Sequence, residues 1–359
     1  MGISPGFRDR LSGITCAERV LTEPADTWVY GYDNSRKHVP PDVVVFVTSH
    51  REVQDIVRLC HEHGVPIVAR GRGTATTGAA IPVRGGVVLS LERMNRILCV
   101  DPANRVIVVE PGVTNQAVQE AVSAHGFFWP PDPTSAAYCT VGGNLAVNAA
   151  GPHAVKYGST RENTLGLRAV TGAGDDIHTG VYTTKGVVGY DLTRLLIGSE
   201  GTLAIITEAT LKLTPLPEAR RLMQAVYASV AQAAAAISRI MAQPATPCAL
   251  EFMDAAAIEM IRSYSQADLP QGAGALLLIE VDGPAIALDN LAAAIRAAAA
   301  GDGLISFHEA RTKDESDALW ATRKALSPAL RTIAPNKLNE DVVVPVSRLP
   351  ELIAGLASL

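Results

Sequence analysis

Between Val43 and Gly126 short apolar runs alternate with one-sided helical stripes. Val43 to Val47 is continuously apolar and predicts a buried strand. From His50 to His63 the apolar positions Val53, Ile56, Val57 and Cys60 share one helical face, and Gly64 stands where that helix should stop. Pro66 to Ala69, Val87 to Leu91 and Arg105 to Val109 predict further strands. Thr114 to His125 predicts an amphipathic helix with Thr114 as N-cap and Gly126 as its end. Such alternation predicts an α+β or α/β domain.

Residues 127–163 lose this periodicity and are rich in Gly, Pro and Asn. A long irregular stretch in a compact domain is functional or disordered, and its scattered aromatics and aliphatics argue for the former. Strand-rich text returns from Thr164 to Thr214 and ends in the Pro-punctuated TPLPEAR, which places a domain boundary near Pro217, between residues 1–217 and 218–359. The second part has Ala-rich helices over Val230 to Met241 and Ala285 to Ala300. Its strand candidates are Leu222 to Tyr227, Ala275 to Val281 and Val342 to Val344. That alternation predicts a small sheet covered by helices on one face.

At 359 residues the chain exceeds one ordinary core, which agrees with two domains. With 48% hydrophobic and 19% charged residues it is not a disordered sequence. A net charge of −5 offers no global attraction to nucleic acid or anionic lipid. The five cysteines are dispersed and odd in number, against a disulfide framework or a cysteine-rich zinc site. His61 and His63, one residue apart on a helix, point different ways and make a poor metal pair. The N-terminus shows no apolar signal region, and the run from Ala275 to Val281 falls far short of the roughly 20 residues of a membrane span. A cytoplasmic protein without an integral membrane segment is expected.

The strand PIVA leads into Arg70-Gly71-Arg72-Gly73-Thr74-Ala75-Thr76-Thr77-Gly78. Glycines let a backbone approach a ligand closely, and a series of exposed N–H groups with threonine hydroxyls suits a pyrophosphate. No helix pattern follows Gly78, so the dinucleotide fingerprint of the doubly wound fold is not met; the phosphate-loop lysine is absent as well. Taken alone, the loop is equally a Gly-rich hairpin without a ligand.

Further segments sharpen the reading. PIVARGRGTATTG, then WPPDPTSAAYCTVGGNLAVNAAG, then HAVKYGSTRENTLGLRAVTGAGD, then LLIGSEGTLAIITEATLKLTP occur in that order. The first, second and fourth resemble the flavin-binding segments of the vanillyl-alcohol oxidase and p-cresol methylhydroxylase superfamily, and the third resembles the strand pair that follows its second segment. DALWATRKAL and KLNEDVVVPVSRLPEL resemble the cap of the glycolate oxidase large flavin subunit and of D-lactate dehydrogenase. The resemblance runs from about Gly13 to Leu359. It implies an α+β protein: a two-subdomain FAD-binding domain followed by a partial α/β, ferredoxin-like cap. Ala75, Ala79, Ala150 and Ala204 stand where this family usually has Gly. Members with covalent flavin often carry a histidine near the loop; none lies between His63 and His125, so non-covalent FAD is implied.

By the same resemblance, Arg70, Gly71, Arg72, Gly73, Thr74 and Gly78 cradle the pyrophosphate, and Pro111 and Gly112 lie along the cofactor. Asp132, Ser135, Thr140, Gly142, Gly143, Asn144 and Asn148 line its second side, and Gly201, Thr202 and Ile206 close over it. Cys139, inside the second segment, reads as a small buried filler, because no basic neighbour is evident. Arg323, in Trp320-Ala321-Thr322-Arg323, is the implied holder of a substrate carboxylate, with Lys337 assisting. The implied reaction is oxidation of a small 2-hydroxy acid of the glycolate or D-lactate type, with D-2-hydroxyglutarate as the rival substrate. An electron acceptor, an iron–sulfur or second flavin subunit, is the implied partner. The family's C-terminal histidines, which bind a divalent metal and abstract the proton, have no counterpart here, and the only histidine beyond His178 is His308. A metal is therefore expected only in a longer form. The text stops at ELIAGLASL, within an expected cap helix, so a flavin-binding subunit without turnover of its own is a second reading.

Overall fold

The computed structural model describes residues 3–264, 269–334 and 341–356. The chain divides into two compact units, residues 1–151 with 157–216 and residues 152–156 with 217–359. The excursion 152–156, which the sequence reading leaves in the first domain, belongs to the second unit, where Lys156 pairs with Asp282 and His153 faces Glu280.

In the first unit, strands β1 (Val20–Leu21), β2 (Val43–Phe46), β3 (Ile67–Arg70) and β4 (Val87–Ser90) form a sheet ordered β1-β2-β4-β3. It is parallel except for the edge strand β1. β2 and β4 are buried at every position, and a parallel strand covered on both faces reads as a continuous apolar run. The helices α1 (Pro5–Ile14) and α3 (His50–His63) are separated by the single turn α2 (Pro24–Thr27). α1 and α3 place Phe7, Leu11, Val53 and Ile56 against Val43, Val45, Val87 and Leu89. At the start of α3 the Ser49 hydroxyl accepts from the Glu52 N–H at 3.3 Å, and Gly64 closes it in the left-handed region at φ 62°.

A second sheet in this unit holds β5 (Ile97–Asp101), β6 (Val106–Val109), β8 (Thr164–Thr171), β9 (Asp176–Gly180) and β10 (Ala204–Lys212). Its order is β5-β6-β10-β8-β9 and every pairing is antiparallel. β7 (Phe127–Phe128) pairs with β11 (Thr214–Pro215). Helices α4 (Asn115–Ser123), α5 (Val141–Ala146) and α7 (Leu192–Leu196) pack Val118, Leu145 and Leu196 onto Ile107, Leu167 and Leu211. The short α6 spans Ala154–Tyr157. The irregular stretch is thus ordered around a fully buried Trp129, whose indole N–H donates to the Asn163 carbonyl at 3.0 Å.

The second unit contains β12 (Ala219–Tyr227), α8 (Val230–Ala242), β13 (Ala249–Asp254), α9 (Ala255–Tyr264), β14 (Ala275–Gly283), α10 (Leu288–Ala299), β15 (Leu304–Glu309), α11 (Lys313–Ile333) and α12 (Leu349–Leu356). The sheet order is β13-β14-β12-β15, antiparallel throughout, which is the ferredoxin-like arrangement with α9 inserted between its second and third strands. Helices cover both faces, not one. Leu277, Ile279 and Val281 pack with α8 and α10, while Leu276 and Leu278 pack with α9 and α11. The unbroken apolar text of β14 is the cause, since a strand buried on both sides has no polar phase. Residues 342–344 form no strand: Val343 is 90% exposed, and a β-branched triplet becomes a strand only where it finds a partner.

Candidate functional site

Several functional candidates of the first unit meet at the loop after β3, among them Gly71, Gly73 and Thr140. Gly73 sits at φ 65°, and a Cβ there would strike the Arg70 guanidinium. A Cβ on Gly71 would strike the Thr140 hydroxyl, and one on Gly142 would lie 2.5 Å from Cβ of Pro111. Glycine at these positions lets three chain segments meet where any side chain would hold them apart. Gly142 N–H donates to the Pro111 carbonyl at 2.8 Å, and Gly112 N–H to the Met94 carbonyl at 2.7 Å. Thr140 caps α5, its hydroxyl accepting from the Gly143 N–H at 3.2 Å. The third segment is stitched to the second: Gly198 and Glu200 N–H groups donate to the carbonyls of Leu145 and Ala146, each at 2.9 Å. Gly201, at φ 77°, would place a Cβ 3.9 Å from that of Ala69 in β3.

A segment that carried no expectation from the sequence, residues 28–38, clamps this loop. Buried Asp33 accepts from the Gly78 N–H at 2.9 Å, and Asn34 N–H donates to the Ala75 carbonyl at 2.9 Å. Trp28 stacks on His38 with ring centroids 3.9 Å apart. Trp28, Tyr32, His38 and Tyr138 line an open cleft of about 600 Å³ together with Gly73, Thr74 and Ser135. The missed signal is the exposure of Trp28 and Tyr32 beside a glycine loop, which is visible only after folding.

Individual candidates divide by what their polar atoms already do. Arg70 is buried, and its guanidinium donates to the carbonyls of Tyr32 at 2.7 Å and Val29 at 3.3 Å. It supports the loop from beneath. Arg72 is exposed, and Thr74 and Ser135 face the cleft. Among the described residues, the N–H groups of Gly71, Arg72, Gly73 and Thr74 donate to no protein acceptor, and the buried Asn144 side-chain amide has no partner for its NH₂. Asn148 adopts φ 50° and accepts from the Ser159 hydroxyl and the Arg161 N–H, so it shapes its own loop. The Thr202 hydroxyl donates to the Ser199 carbonyl, and Ile206 is part of the core. Asp132 packs where a Cβ on Gly151 would fall. Burial pushes the Cys139 thiol up, which keeps it protonated and agrees with a filler.

In the second unit Arg323 lies on α11, and its Nε donates to Glu251 on β13 at 2.5 Å. Lys337 lies outside the described residues. His308 is exposed on β15. His61 and His63 are both exposed at the end of α3, and His63 Nδ1 is 3.0 Å from the Leu59 carbonyl.

The loop and its surroundings fit an FAD. Unused N–H donors, a cradle that Cβ atoms would fill and an orphaned amide suit a pyrophosphate and a heteroaromatic polar edge. No helix among the described residues is long and apolar enough to cross a membrane.

Comparison with known proteins gives the same answer. Residues 41–180 match the family described as FAD binding domain, and residues 216–359 match FAD linked oxidases, C-terminal domain. The chain is 38% identical over 355 residues to the glycolate oxidase subunit GlcD of Bacillus subtilis, covering 99% of this chain and 76% of that protein. It is 34% identical over 330 residues to a D-lactate dehydrogenase of Anaerostipes hadrus, covering 89% and 68%. The fold is that of p-cresol methylhydroxylase, with a TM-score of 0.73, 17% identity and coverage of 90% of this chain and 72% of that one. With the loop, the capped second segment and the ferredoxin-like cap all in place, the chain belongs to the FAD-linked oxidases, a family of flavoprotein oxidoreductases.

Proposed function

We propose that this chain binds FAD without a covalent link and takes part in oxidising a small 2-hydroxy acid of the glycolate or D-lactate class. The observation that supports the reading best is the meeting of Gly71, Gly73, Thr140 and Gly142 around unused N–H donors, in a chain 38% identical to a glycolate oxidase subunit. The cofactor supplies a hydride acceptor for the substrate's carbinol carbon, and the hydroxyl proton leaves to a base. The chain's own residues orient and polarise. The N–H groups of Gly71 to Thr74 hold phosphate oxygens, and the Asn144 amide donates to the flavin's polar edge. Arg323 holds the carboxylate bidentately, exchanging Glu251 for the substrate. Lys337 adds a second cation. The proposed setting is the cytoplasm, with an iron–sulfur or second flavin subunit taking the electrons.

Acid precipitation of the yellow protein should release the colour to the supernatant; colour that stays in the pellet rules out a non-covalent link. Anaerobic mixing with glycolate, D-lactate and D-2-hydroxyglutarate then reads the substrate. Bleaching by one of these acids, weakened in Arg323→Ala chiefly through a raised half-saturation concentration, is the expected result. A stable yellow protein bleached by none of them would favour a flavin-carrying subunit without turnover.

A further inference from the structure

We propose that His153, Cys248 and Glu280, none of them a residue assigned to flavin or substrate, form a zinc site in the second unit. Cys248 ends the stretch before β13, Glu280 lies beside it on β14, and His153 comes from the excursion 152–156. The Cys248 N–H donates to the Glu280 carbonyl at 2.7 Å, which fixes the two residues side by side. Cys248 is wholly buried, Glu280 nearly so, and His153 is the outermost of the three.

Two edges of the ligand triangle have the length of a tetrahedral zinc site's. Cys248 Sγ lies 3.6 Å from Glu280 Oε1, and His153 Nε2 lies 3.6 Å from the same oxygen. All three ligand atoms fall within 4.8 Å of one another. Zinc bonds of about 2.3 Å to sulfur and about 2.0–2.1 Å to nitrogen or oxygen, at tetrahedral angles, separate ligand atoms by about 3.3–3.6 Å. Small side-chain movements therefore close the set around an ion. A thiolate, an imidazole and a carboxylate together suit zinc, whereas magnesium and calcium take oxygen ligands. Three protein ligands leave one position for water.

The surroundings hold the carboxylate in register. The Trp320 indole N–H donates to Glu280 Oε2 at 2.9 Å, leaving Oε1 to face the sulfur and the imidazole. Such an outer partner orients a metal ligand. One group opposes the ion: an Arg220 guanidinium nitrogen lies 3.5 Å from Glu280 Oε1. Its side chain is 45% exposed and free to turn toward solvent when a cation arrives. Zinc binds the thiolate, so its entry displaces the thiol proton. The bound ion ties segment 152–156 to β13 and β14, beside the Lys156–Asp282 pair.

The test uses the full chain, stripped with EDTA and then given zinc against a competing chelator. One zinc per chain is expected. Cobalt in its place should show thiolate charge-transfer absorption and tetrahedral visible bands. Cys248→Ser should abolish the charge-transfer absorption, and Trp320→Phe should weaken zinc roughly tenfold. His153→Gln and Glu280→Gln should weaken it further, while Arg220→Ala should tighten it by removing the competing cation. Circular dichroism and retained yellow colour show whether each variant is folded; His153→Gln, on the most exposed ligand, carries the test if Cys248→Ser does not fold. Absence of stoichiometric binding, a cobalt spectrum without thiolate character, or unchanged affinity in folded His153→Gln and Glu280→Gln would overturn the site. Loss of binding only in His61→Gln or His63→Gln would overturn it as well, by placing the ion on α3.

Discussion

At the scale of single residues, backbone conformation and free space separate glycines that matter from those that do not. Gly73 combines φ 65° with the Arg70 guanidinium directly over its missing Cβ. A Gly73→Val chain meets a left-handed penalty of about 1–2 kcal/mol and displaces Arg70 from the carbonyls of Val29 and Tyr32. Its expected flavin-to-protein ratio after purification falls well below that of the parent at similar helix content. Gly172 meets nothing within 4 Å and has no left-handed strain, so Gly172→Ala should leave stability within about 0.5 kcal/mol of the parent and the flavin-to-protein ratio unchanged. An equal effect of the two substitutions, in urea unfolding and in bound flavin, would remove the loop from the site. The glycine loop was legible from its residues because φ and close approach are local demands. The contacts within it were not: the buried Arg70 guanidinium donates to the carbonyls of Tyr32 and Val29, which only the fold brings to it.

Elements depend on caps and on where their last polar groups go. Ser49, Thr114 and Thr140 each cap a helix, accepting an N–H three residues on. For Ser49 and Thr114 the helix that follows was visible as an apolar stripe; for Thr140 it was not, since six residues make too short a window for periodicity. In the second unit, Tyr227 on β12 is wholly buried, and its hydroxyl donates to the Ala299 carbonyl at the end of α10 at 2.8 Å. Tyr227→Phe leaves that carbonyl unsatisfied, and a loss of about 1–2 kcal/mol in urea unfolding is expected. A change below a few tenths would show that solvent reaches the carbonyl. The burial of β14 on both faces escaped the sequence reading because an unbroken apolar run does not say how many layers cover it.

Across the whole molecule, ionisable groups set the pH range of stability. Burial raises the Glu52 carboxyl, but the Arg19 guanidinium and the Thr48 N–H outweigh it and hold it below its ordinary value of 4.5. Glu309 is held below 4.5 in the same way, burial again outweighed by Arg221 and Arg296. A carboxylate depressed in the folded state stabilises it above the unfolded value and loses that contribution as pH falls through the folded one. Stability should therefore decline below about pH 4.5. At the other end, burial pushes Cys60 up to about 12 from 9.0 and Tyr227 up to about 12 from 10.0. Groups raised in this way keep their proton in the fold, so stability is complete below pH 9.0 and declines as pH rises toward 12. Urea midpoints across this range should form a plateau with two falling limbs. A midpoint that rises on acidification below 4.5 would contradict the assigned carboxylates.

The amino-acid sequence alone determined what neighbouring residues can settle. It placed the short apolar strands, the amphipathic helices, the glycine loop and the order of the flavin segments. The elements and the loop follow from side-chain period and backbone freedom, which act over a few residues, and the flavin segments from a resemblance that their ordered motifs carry. Only the tertiary structure decided what distant residues do to one another. Segment 28–38 clamps a loop some forty residues on through Asp33 and Gly78. Arg323 meets Glu251, and His153, Cys248 and Glu280 gather from three separate stretches. No spacing rule encodes such meetings, because sheet order and the path of the chain between elements set them, and those arise from packing a complete core.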